Sequence, residues 1–204
     1  GFTNVPNEFI ESYFPLRIET YATIPDSGGA GLHRGGNGLT VAYRFLADGE
    51  IGIHDDRWLT YPWGVLGGEP GLRSSKRLLR TDGSEEWLGA KAEGIRVKKG
   101  DLLYFNTWGG GGWGDPCERD PELVRQDVAR RLVTVEGARR YGVVIGDDGQ
   151  VDTAATEALR EQMRGERGEV ELFNRGGSID ELKARCLEET HLEPPVDPSF
   201  QGVA

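Results

Sequence analysis

Four consecutive glycines, residues 109–112, stand between Trp108 and Trp113 in the stretch N-T-W-G-G-G-G-W-G-D-P. Such a run can form a phosphate-binding loop, a flexible linker or a rigid turn. A phosphate loop needs Lys and then Ser or Thr after its last glycine, whereas this run continues into Asp115, whose carboxylate would repel phosphate. Flexible linkers combine Gly with Ser and lack aromatic residues. We therefore predict a rigid turn, purely structural or part of a pocket wall, in which glycines adopt positive φ or the backbone approaches another surface closely.

Composition and charge narrow the class of protein. Glycine accounts for 31 of 204 residues, about twice the average share of roughly 7%, and its clustering predicts many specified turns. The net charge of −10 argues against nucleic acid as a partner, since its phosphates need clustered Lys and Arg. No apolar run approaches the length of a membrane helix, and no signal peptide is visible. Cys117 and Cys186 lack metal-site spacing and are interpreted as reduced thiols, so we expect a cytoplasmic protein.

The hydrophobic pattern predicts two domains. Residues 1–116 alternate apolar and polar side chains over short segments, which is the period of β-strands, whereas residues 117–204 carry helical patterns and end in an extended, Pro-rich tail. Strands are predicted over 16–24, 39–46, 51–53, 75–79, 94–97, 102–105 and 143–145, with a hairpin at 47–50. Helices are predicted over 6–13 (capped by Asn4), 120–132, 134–142, 152–167 and 178–189. The expected class is α+β, with a β-rich, sandwich- or barrel-like first half.

A second glycine-rich loop, residues 25–38, holds the polar side chains best suited to catalysis. His33 is a candidate general base and Arg34 a candidate clamp for a carboxylate or phosphate. Asp26 completes this candidate catalytic set. In the alternative interpretation, Asp26 pairs with Arg34 and His33 forms a hydrogen bond within the loop.

No metal site and no nucleophile are predicted. His54 and Asp56 lie on the same side of a strand and could share a metal ion, but an isolated His-x-Asp is common by chance. His191 lies near the tail, where we expect it to be solvated. No Ser or Cys has an activating partner in the sequence, so no nucleophile is assigned.

Five motifs occur in order along the chain: T-N-V-P-N-E-F-I-E-x-x-x-P-L-R-I-E, P-D-S-G-G-A-G-x-x-R-G-G-x-G, P-W-G-V-L-G-G, T-W-G-G-G-G-W-G-D-P-x-E-R-D-P-E-L-V-x-x-D-V and Y-G-V-V. In this order they resemble the C-terminal part of the hydantoinase B/oxoprolinase family. The similarity runs from Thr3 to about Ile145 and continues more loosely through Phe173. Five motifs in one order are highly specific.

The resemblance implies a role in a large hetero-oligomeric enzyme. Members of the family pair with a hydantoinase A-type subunit, which uses ATP and Mg²⁺ to phosphorylate a small-molecule substrate. They open cyclic amides (hydantoins, 5-oxoproline, lactams) or carboxylate ketones such as acetone and acetophenone. In metal-containing members the ligands belong to the N-terminal half of the family chain, so the resemblance implies no cofactor bound by this chain. Family members are much longer, and the chain begins at Gly1, so we expect a cut chain or split gene product that partners that N-terminal half.

Three functions stay open: part of a ring-opening amidohydrolase, part of a ketone carboxylase, or a non-catalytic assembly subunit. The candidate substrate-binding residues are Trp108, Gly110, Gly111 and Trp113. The tryptophans that suit an apolar substrate wall, or alternatively the core, are Trp58, Trp63, Trp108 and Trp113. We expect the strand-rich half to contact the partner, because an isolated strand edge needs a cover.

Overall fold

The computed structural model of the chain describes residues 5–195. The strands are β1 (Leu16–Thr23), β2 (Leu39–Phe45), β3 (Gly49–His54), β4 (Gly64–Val65), β5 (Ser75–Leu79), β6 (Glu85–Leu88), β7 (Lys91–Val97), β8 (Leu102–Asn106) and β9 (Phe173–Asn174). The α-helices are α1 (Asn7–Tyr13), α2 (Pro121–Ala129), α3 (Thr153–Glu166) and α4 (Ile179–Thr190), with 3₁₀ helices at Pro116–Glu118 and Gly137–Tyr141. The predicted α+β class is confirmed. The predicted Asn4 cap and residues 196–204 of the predicted tail lie outside the described residues.

Two antiparallel sheets share one apolar core in the strand-rich part. A five-stranded sheet has the order β1-β2-β8-β5-β6, and a two-stranded sheet pairs β3 with β7. Alternate side chains of a strand point to opposite faces, and in β5 this buries Lys76 and Leu78. The core between the sheets contains Phe45, Ile53, Leu78, Leu88, Val97 and Leu103. This is a sandwich-like arrangement, in which inner faces of two sheets pack together.

The predicted hairpin at 47–50 is wrong. β2 pairs with β1 and β8 in the large sheet, whereas β3 pairs with β7 in the small one. The turn therefore carries the chain from one sheet to the other, and Ile53 enters the shared core from the second layer. A short turn between two alternating segments is typical of a hairpin. The partner of β3 lies about forty residues further along, and no local pattern identifies it.

The helical part packs onto the glycine loop. Asp120 caps α2 as predicted, but the helix ends at Ala129, short of residue 132, because Arg131 adopts a left-handed conformation with φ 58°. The predicted strand at 143–145 is reduced to a single bridge between Ile145 and Val151. The core of this part consists of Val124, Val133, Ala138, Tyr141, Val143 and Ile145, with Ala30 from the glycine loop.

A buried aspartate joins the strands around the core and provides a test of the fold. Asp101 accepts hydrogen bonds from Lys98 N (2.9 Å), Thr81 N (3.0 Å) and the Arg80 guanidinium (3.1 Å). Burial raises the pKa of this carboxyl, but the hydrogen bonds outweigh burial and hold its pKa below the usual 3.8. We expect Asp101→Asn to lower the free energy of unfolding at neutral pH by about 2 kcal/mol.

The pH dependence of that loss has a defined sign. A carboxyl with a depressed folded-state pKa stabilises the fold above its unfolded pKa, and the contribution is lost as pH falls through the folded value. The gap between wild type and Asp101→Asn should therefore shrink as pH falls below 3.8. Urea unfolding at several pH values measures this gap. Asp82→Asn is the control, since the exposed Asp82 bonds only its own turn at Ser84, and a loss as large as that of Asp101→Asn would contradict the account.

Candidate functional site

Three glycine-rich segments, residues 27–36, 62–72 and 109–114, lie side by side; we call them the glycine bundle. Their backbone hydrogen bonds are Leu72 N to Ser27 O (2.8 Å), Glu69 N to Ala30 O (2.7 Å), Gly109 N to Leu72 O (3.0 Å), Gly112 N to Glu69 O (2.9 Å), Gly110 N to Gly36 O (2.8 Å) and Trp113 N to His33 O (2.9 Å). Between each two segments, successive bonds move three residues along both chains in opposite directions. A three-residue step is the period of the polyproline II helix, so the bundle is built from extended helices rather than pleated strands.

Glycine is required in the bundle because the backbones touch. A Cβ atom on Gly111 would overlap the carbonyl oxygen of Trp63, and Cβ atoms on Gly109 and Gly112 would overlap carbonyl oxygens of segment 27–36. None of the four glycines of the run, all within the described residues, has a positive φ. The positive-φ part of the rigid-turn prediction is therefore wrong, and close backbone approach is the reason for the run.

His33 and Trp113 lie next to each other at the surface of the bundle. Their backbones are joined in both directions, at 3.0 Å and 2.9 Å, and their ring centroids are 5.5 Å apart. Trp113 is 45% exposed, Trp108 41% and Trp63 42%, so placement of these three in the core is wrong, and Trp58 is half-buried. Aromatic surface is thus available to a ligand or to another chain beside His33.

Asp26 joins the glycine loop to the helical part. Its carboxylate accepts hydrogen bonds from Thr134 N (2.9 Å) and Thr134 Oγ1 (2.6 Å), and its own N–H donates to Leu132 O (3.1 Å). The residue is held in a left-handed conformation, φ 60°. Gly137 faces the carboxylate so closely that any side chain there would collide with it. These contacts give Asp26 a structural task that the sequence did not reveal.

Arg34 turns to the helical part as well. Its Nε lies 3.2 Å from a carboxylate oxygen of Asp127, which also pairs with Arg119 at 2.9 Å and is buried. Arg34 also donates to Gly35 O (2.9 Å). Among residues 5–195 no hydrogen bond or ion pair joins Asp26, His33 and Arg34 to one another. The structure therefore does not assemble the three predicted catalytic residues into one cluster.

The two central glycines of the run differ in what their backbones offer. Both polar groups of Gly110 are used, since its N–H donates to Gly36 O (2.8 Å) and its carbonyl accepts from Gly29 N (2.9 Å). The N–H of Gly111 has no hydrogen-bond partner within the described part of the chain. Of the two predicted substrate-binding glycines, Gly111 has the free donor.

The described residues hold no candidate metal centre. His54 contacts the carboxylate of Glu93, whereas Asp56 pairs with Lys91 at 3.3 Å, so the two potential ligands turn to different partners. No group of three or more His, Cys, Asp or Glu side chains within residues 5–195 could hold a metal ion. In the same range, no helix combines the length and the apolar character needed to cross a bilayer. Both cysteines are free and buried.

A buried charged cluster was missed by the sequence reasoning. Lys76 and Asp55 form an ion pair with side-chain exposures of 0% and 3%, and Lys76 Nζ lies 3.1 Å from Ser74 Oγ. A signal for it exists, because Lys76 shares the inward face of β5 with the buried Leu78. An inward lysine in an alternating strand requires a buried carboxylate, and the sequence does not say which one.

These contacts predict opposite behaviour for two candidate catalytic residues. His33→Ala removes an exposed ring and should change the free energy of unfolding by less than about 0.5 kcal/mol. Asp26→Ala removes two hydrogen bonds to Thr134 and should cost about 2 kcal/mol. Thermal unfolding of both variants measures the difference, and equal losses would contradict the placement of His33. A turnover defect in His33→Ala then reports on chemistry, whereas one in Asp26→Ala is expected from lost stability.

Comparison with known proteins places the chain among enzyme subunits. The hydantoinase B/oxoprolinase family profile matches residues 1–116. The B subunit of a D-/L-hydantoinase from Pseudomonas sp. is 34% identical over 77% of this chain and 27% of its own length. The crystal structure of ATP-dependent caprolactamase from Pseudomonas jessenii superposes with a TM-score of 0.64 at 33% identity, covering 76% of this chain and 28% of the other.

A third similarity concerns the fold alone. The nucleotide-free structure of acetone carboxylase superposes with a TM-score of 0.66 over 91% of this chain and 29% of the other, at 24% identity. The chain thus spans little more than a quarter of the proteins it matches. The matched range contains the whole glycine bundle, and on this evidence the chain belongs to the hydantoinase B/oxoprolinase family.

Proposed function

We propose that this chain is the C-terminal portion, or a separately encoded piece, of a hydantoinase B-type subunit in a hetero-oligomeric, ATP-dependent enzyme. The observation that supports this most directly is the family match over residues 1–116, which includes all three segments of the glycine bundle. The reaction is ring-opening hydrolysis of a cyclic amide such as a hydantoin, 5-oxoproline or a lactam, or carboxylation of a ketone. Caprolactamase and the hydantoinase from Pseudomonas sp. are the relatives in favour of the first. The fold of acetone carboxylase keeps the second as an alternative.

The chemistry shared by these reactions is activation by phosphoryl transfer. An amide carbonyl is a poor electrophile and a ketone a poor nucleophile. Phosphorylation of the amide oxygen supplies a leaving group, and phosphorylation of an enolate holds the ketone in its reactive form. In our proposal ATP and Mg²⁺ are held by a hydantoinase A-type partner, and any metal ion is held by the N-terminal half of the hydantoinase B-type chain. We place the assembly in the cytoplasm, where ATP is available.

Within this proposal the residues of the chain have distinct tasks. His33 moves a proton at the surface of the bundle, and Trp108 and Trp113 form an apolar wall for the substrate. Gly111 presents a free N–H to a carbonyl or carboxylate oxygen, next to Gly110, whose backbone is committed to the bundle. Asp26 and Arg34 hold the loop that carries His33, through Thr134 and Asp127.

An assembly role without catalysis is the second candidate. α1 buries none of its residues, and Phe9 and Tyr13 stack on each other at its surface with exposures of 49% and 71%. The neighbouring β1 is an edge strand of the large sheet. Exposed aromatic side chains beside an open strand edge are typical of a surface that another chain covers.

Native mass spectrometry of the chain purified from its source tests the proposal. We expect it to arrive with a hydantoinase A-type chain and with the N-terminal half of a hydantoinase B-type subunit. Turnover of lactams, and of ketones with bicarbonate, is then measured with and without ATP. If the chain arrives alone, or if the assembly hydrolyses no ATP with any of these substrates, the enzymatic proposal is wrong. An intact but inactive assembly would favour the scaffolding role.

A further inference from the structure

Two arginines converge on one exposed tryptophan at the edge of the glycine bundle. β4 and β9 pair antiparallel, with Gly64 opposite Asn174. Trp63 immediately precedes β4 and Arg175 immediately follows β9, so this register places them opposite each other across the pair. The guanidinium carbon of Arg175 lies 5.1 Å from the centre of the Trp63 ring.

The second guanidinium comes from a loop that the protein interior fixes. Arg57 adopts a left-handed conformation, φ 60°, which is uncommon for a residue other than glycine. The loop is anchored on Ser74, whose N–H donates to Arg57 O (2.9 Å) and whose hydroxyl lies 2.8 Å from Asp56 O. In this position the guanidinium carbon of Arg57 is 5.8 Å from the centre of the Trp63 ring.

Neither arginine is neutralised by the chain itself. Within residues 5–195, neither Arg57 nor Arg175 forms an ion pair or a side-chain hydrogen bond. The contrast is Arg77, which lies 6.0 Å from the Trp87 ring but also pairs with Glu85 at 3.1 Å. Most other arginines of this acidic chain have such a carboxylate. Two unpaired guanidinium groups on the same ring therefore leave a local excess of positive charge.

Apolar surface lies directly beside these charges. Phe173 is 41% exposed and meets the Trp63 ring edge-on, with centroids 5.6 Å apart. Phe173 and Arg175 line a cavity of about 490 Å³ together with Glu171. Glu171 pairs with neither arginine, and its carboxylate opposes an anion in the same cavity. A ligand here would meet guanidinium groups at one end and aromatic rings along its length.

We propose that Arg57, Trp63 and Arg175 form a binding site for the carboxylate of a small molecule with a short apolar chain. Guanidinium groups bind planar carboxylates through two parallel N–H donors, and the exposed faces of Trp63 and Phe173 accept the apolar chain. The left-handed Arg57 and the β4–β9 register hold both cations in place before a ligand arrives, which reduces the entropy cost of binding.

The identity of the natural ligand rests on the proposed function, whereas the site itself does not. Ring opening of a cyclic amide and carboxylation of a ketone both yield a small carboxylate. A site of this kind on the hydantoinase B-type chain therefore suits the product of either reaction. The binding experiment contains no ATP and no partner chain, so it can fail while the proposed function stands, and the reverse also holds.

Indole N–H signals in a two-dimensional ¹⁵N NMR spectrum of the full chain measure the binding. Each of the five tryptophans gives one such signal, and Trp63→Phe and Trp87→Phe assign the two that matter. The probes are sodium pentanoate and its neutral isostere pentanamide, at constant ionic strength and concentrations up to about 50 mM. We expect pentanoate to shift the Trp63 signal in a saturable way, with pentanamide binding about tenfold more weakly.

Exposed side chains provide variants that should not disturb folding. Arg57→Gln and Arg175→Gln should each weaken pentanoate binding by about tenfold, whereas Glu171→Gln should strengthen it because a like charge is removed. Arg77→Gln is the matched control and should change nothing at Trp63. The proposal is overturned if pentanoate leaves the Trp63 signal unmoved, if it shifts Trp87 equally, or if both arginine variants bind as wild type. A Trp63 shift that appears only with a partner chain would identify a protein contact instead.

Discussion

Gly111→Ala is expected to prevent the glycine bundle from forming and to leave the chain without a stable fold. A Cβ atom at this position would overlap the carbonyl group of Trp63. That carbonyl belongs to a backbone held on both sides, so it cannot move aside as a flexible side chain would. We expect a loss of at least about 4 kcal/mol, in the range of the most damaging single substitutions. Circular dichroism and urea unfolding of the purified variant measure it.

Gly36→Ala is the matched control for this effect. Gly36 lies in the same bundle and its carbonyl accepts a hydrogen bond from Gly110, but a Cβ atom there meets nothing within 4 Å. Gly110→Ala should fall between the two, because its Cβ would lie 3.1 Å from Gly36 N. The order Gly36, Gly110, Gly111 in rising cost is specific to backbone contact, since none of the three has a positive φ. Equal stability of the Gly36 and Gly111 variants would refute the close-packed bundle.

The contrast between these glycines shows how far the sequence reaches. Aromatic residues on both sides of the run were sufficient to exclude a linker, and the aspartate after it excluded a phosphate loop. The reason for the glycines was not available, because it depends on three segments that lie up to about eighty residues apart in the chain. Alternation likewise located β1, β2 and β5 closely, but it did not tell that β3 leaves β2 for the other sheet. Period and caps are local properties, whereas pairing is not.

The candidate site divides along the same line. Polar residues in a glycine loop were correctly singled out as constrained, yet a sequence offers no means to separate a residue that faces solvent from one that braces the loop. His33 is exposed, whereas Asp26 bonds Thr134, more than a hundred residues away, and Arg34 bonds Asp127. The arginines around Trp63 were beyond prediction for a similar reason, since β9, which positions Arg175, is only two residues long.

Asp55→Ala is expected to be the most damaging substitution outside the bundle, at about 3–5 kcal/mol. It leaves the ammonium group of Lys76, fully buried and 5.5 Å from the Phe105 ring centre, with only the Ser74 hydroxyl as a polar partner. A buried charge without its counter-ion loses hydration and regains nothing. Urea unfolding at neutral pH measures the loss. Asp56→Ala is the control, because Asp56 is 77% exposed and pairs with a solvated lysine, where such pairs contribute less than about 1 kcal/mol.

Two further measurements separate a stranded charge from a simple loss of packing. Burial already lowers the pKa of Lys76 from its usual 10.5 in the wild type, while Asp55 opposes that shift. Without Asp55 the folded-state pKa falls further, so the unfolded state binds more protons and the stability of the variant must rise with pH towards the usual lysine value. Adding Lys76→Met to Asp55→Ala should recover most of the loss, because an apolar side chain needs no counter-ion. If the variant is insensitive to pH and the second substitution adds to the damage, Asp55 contributes packing rather than charge.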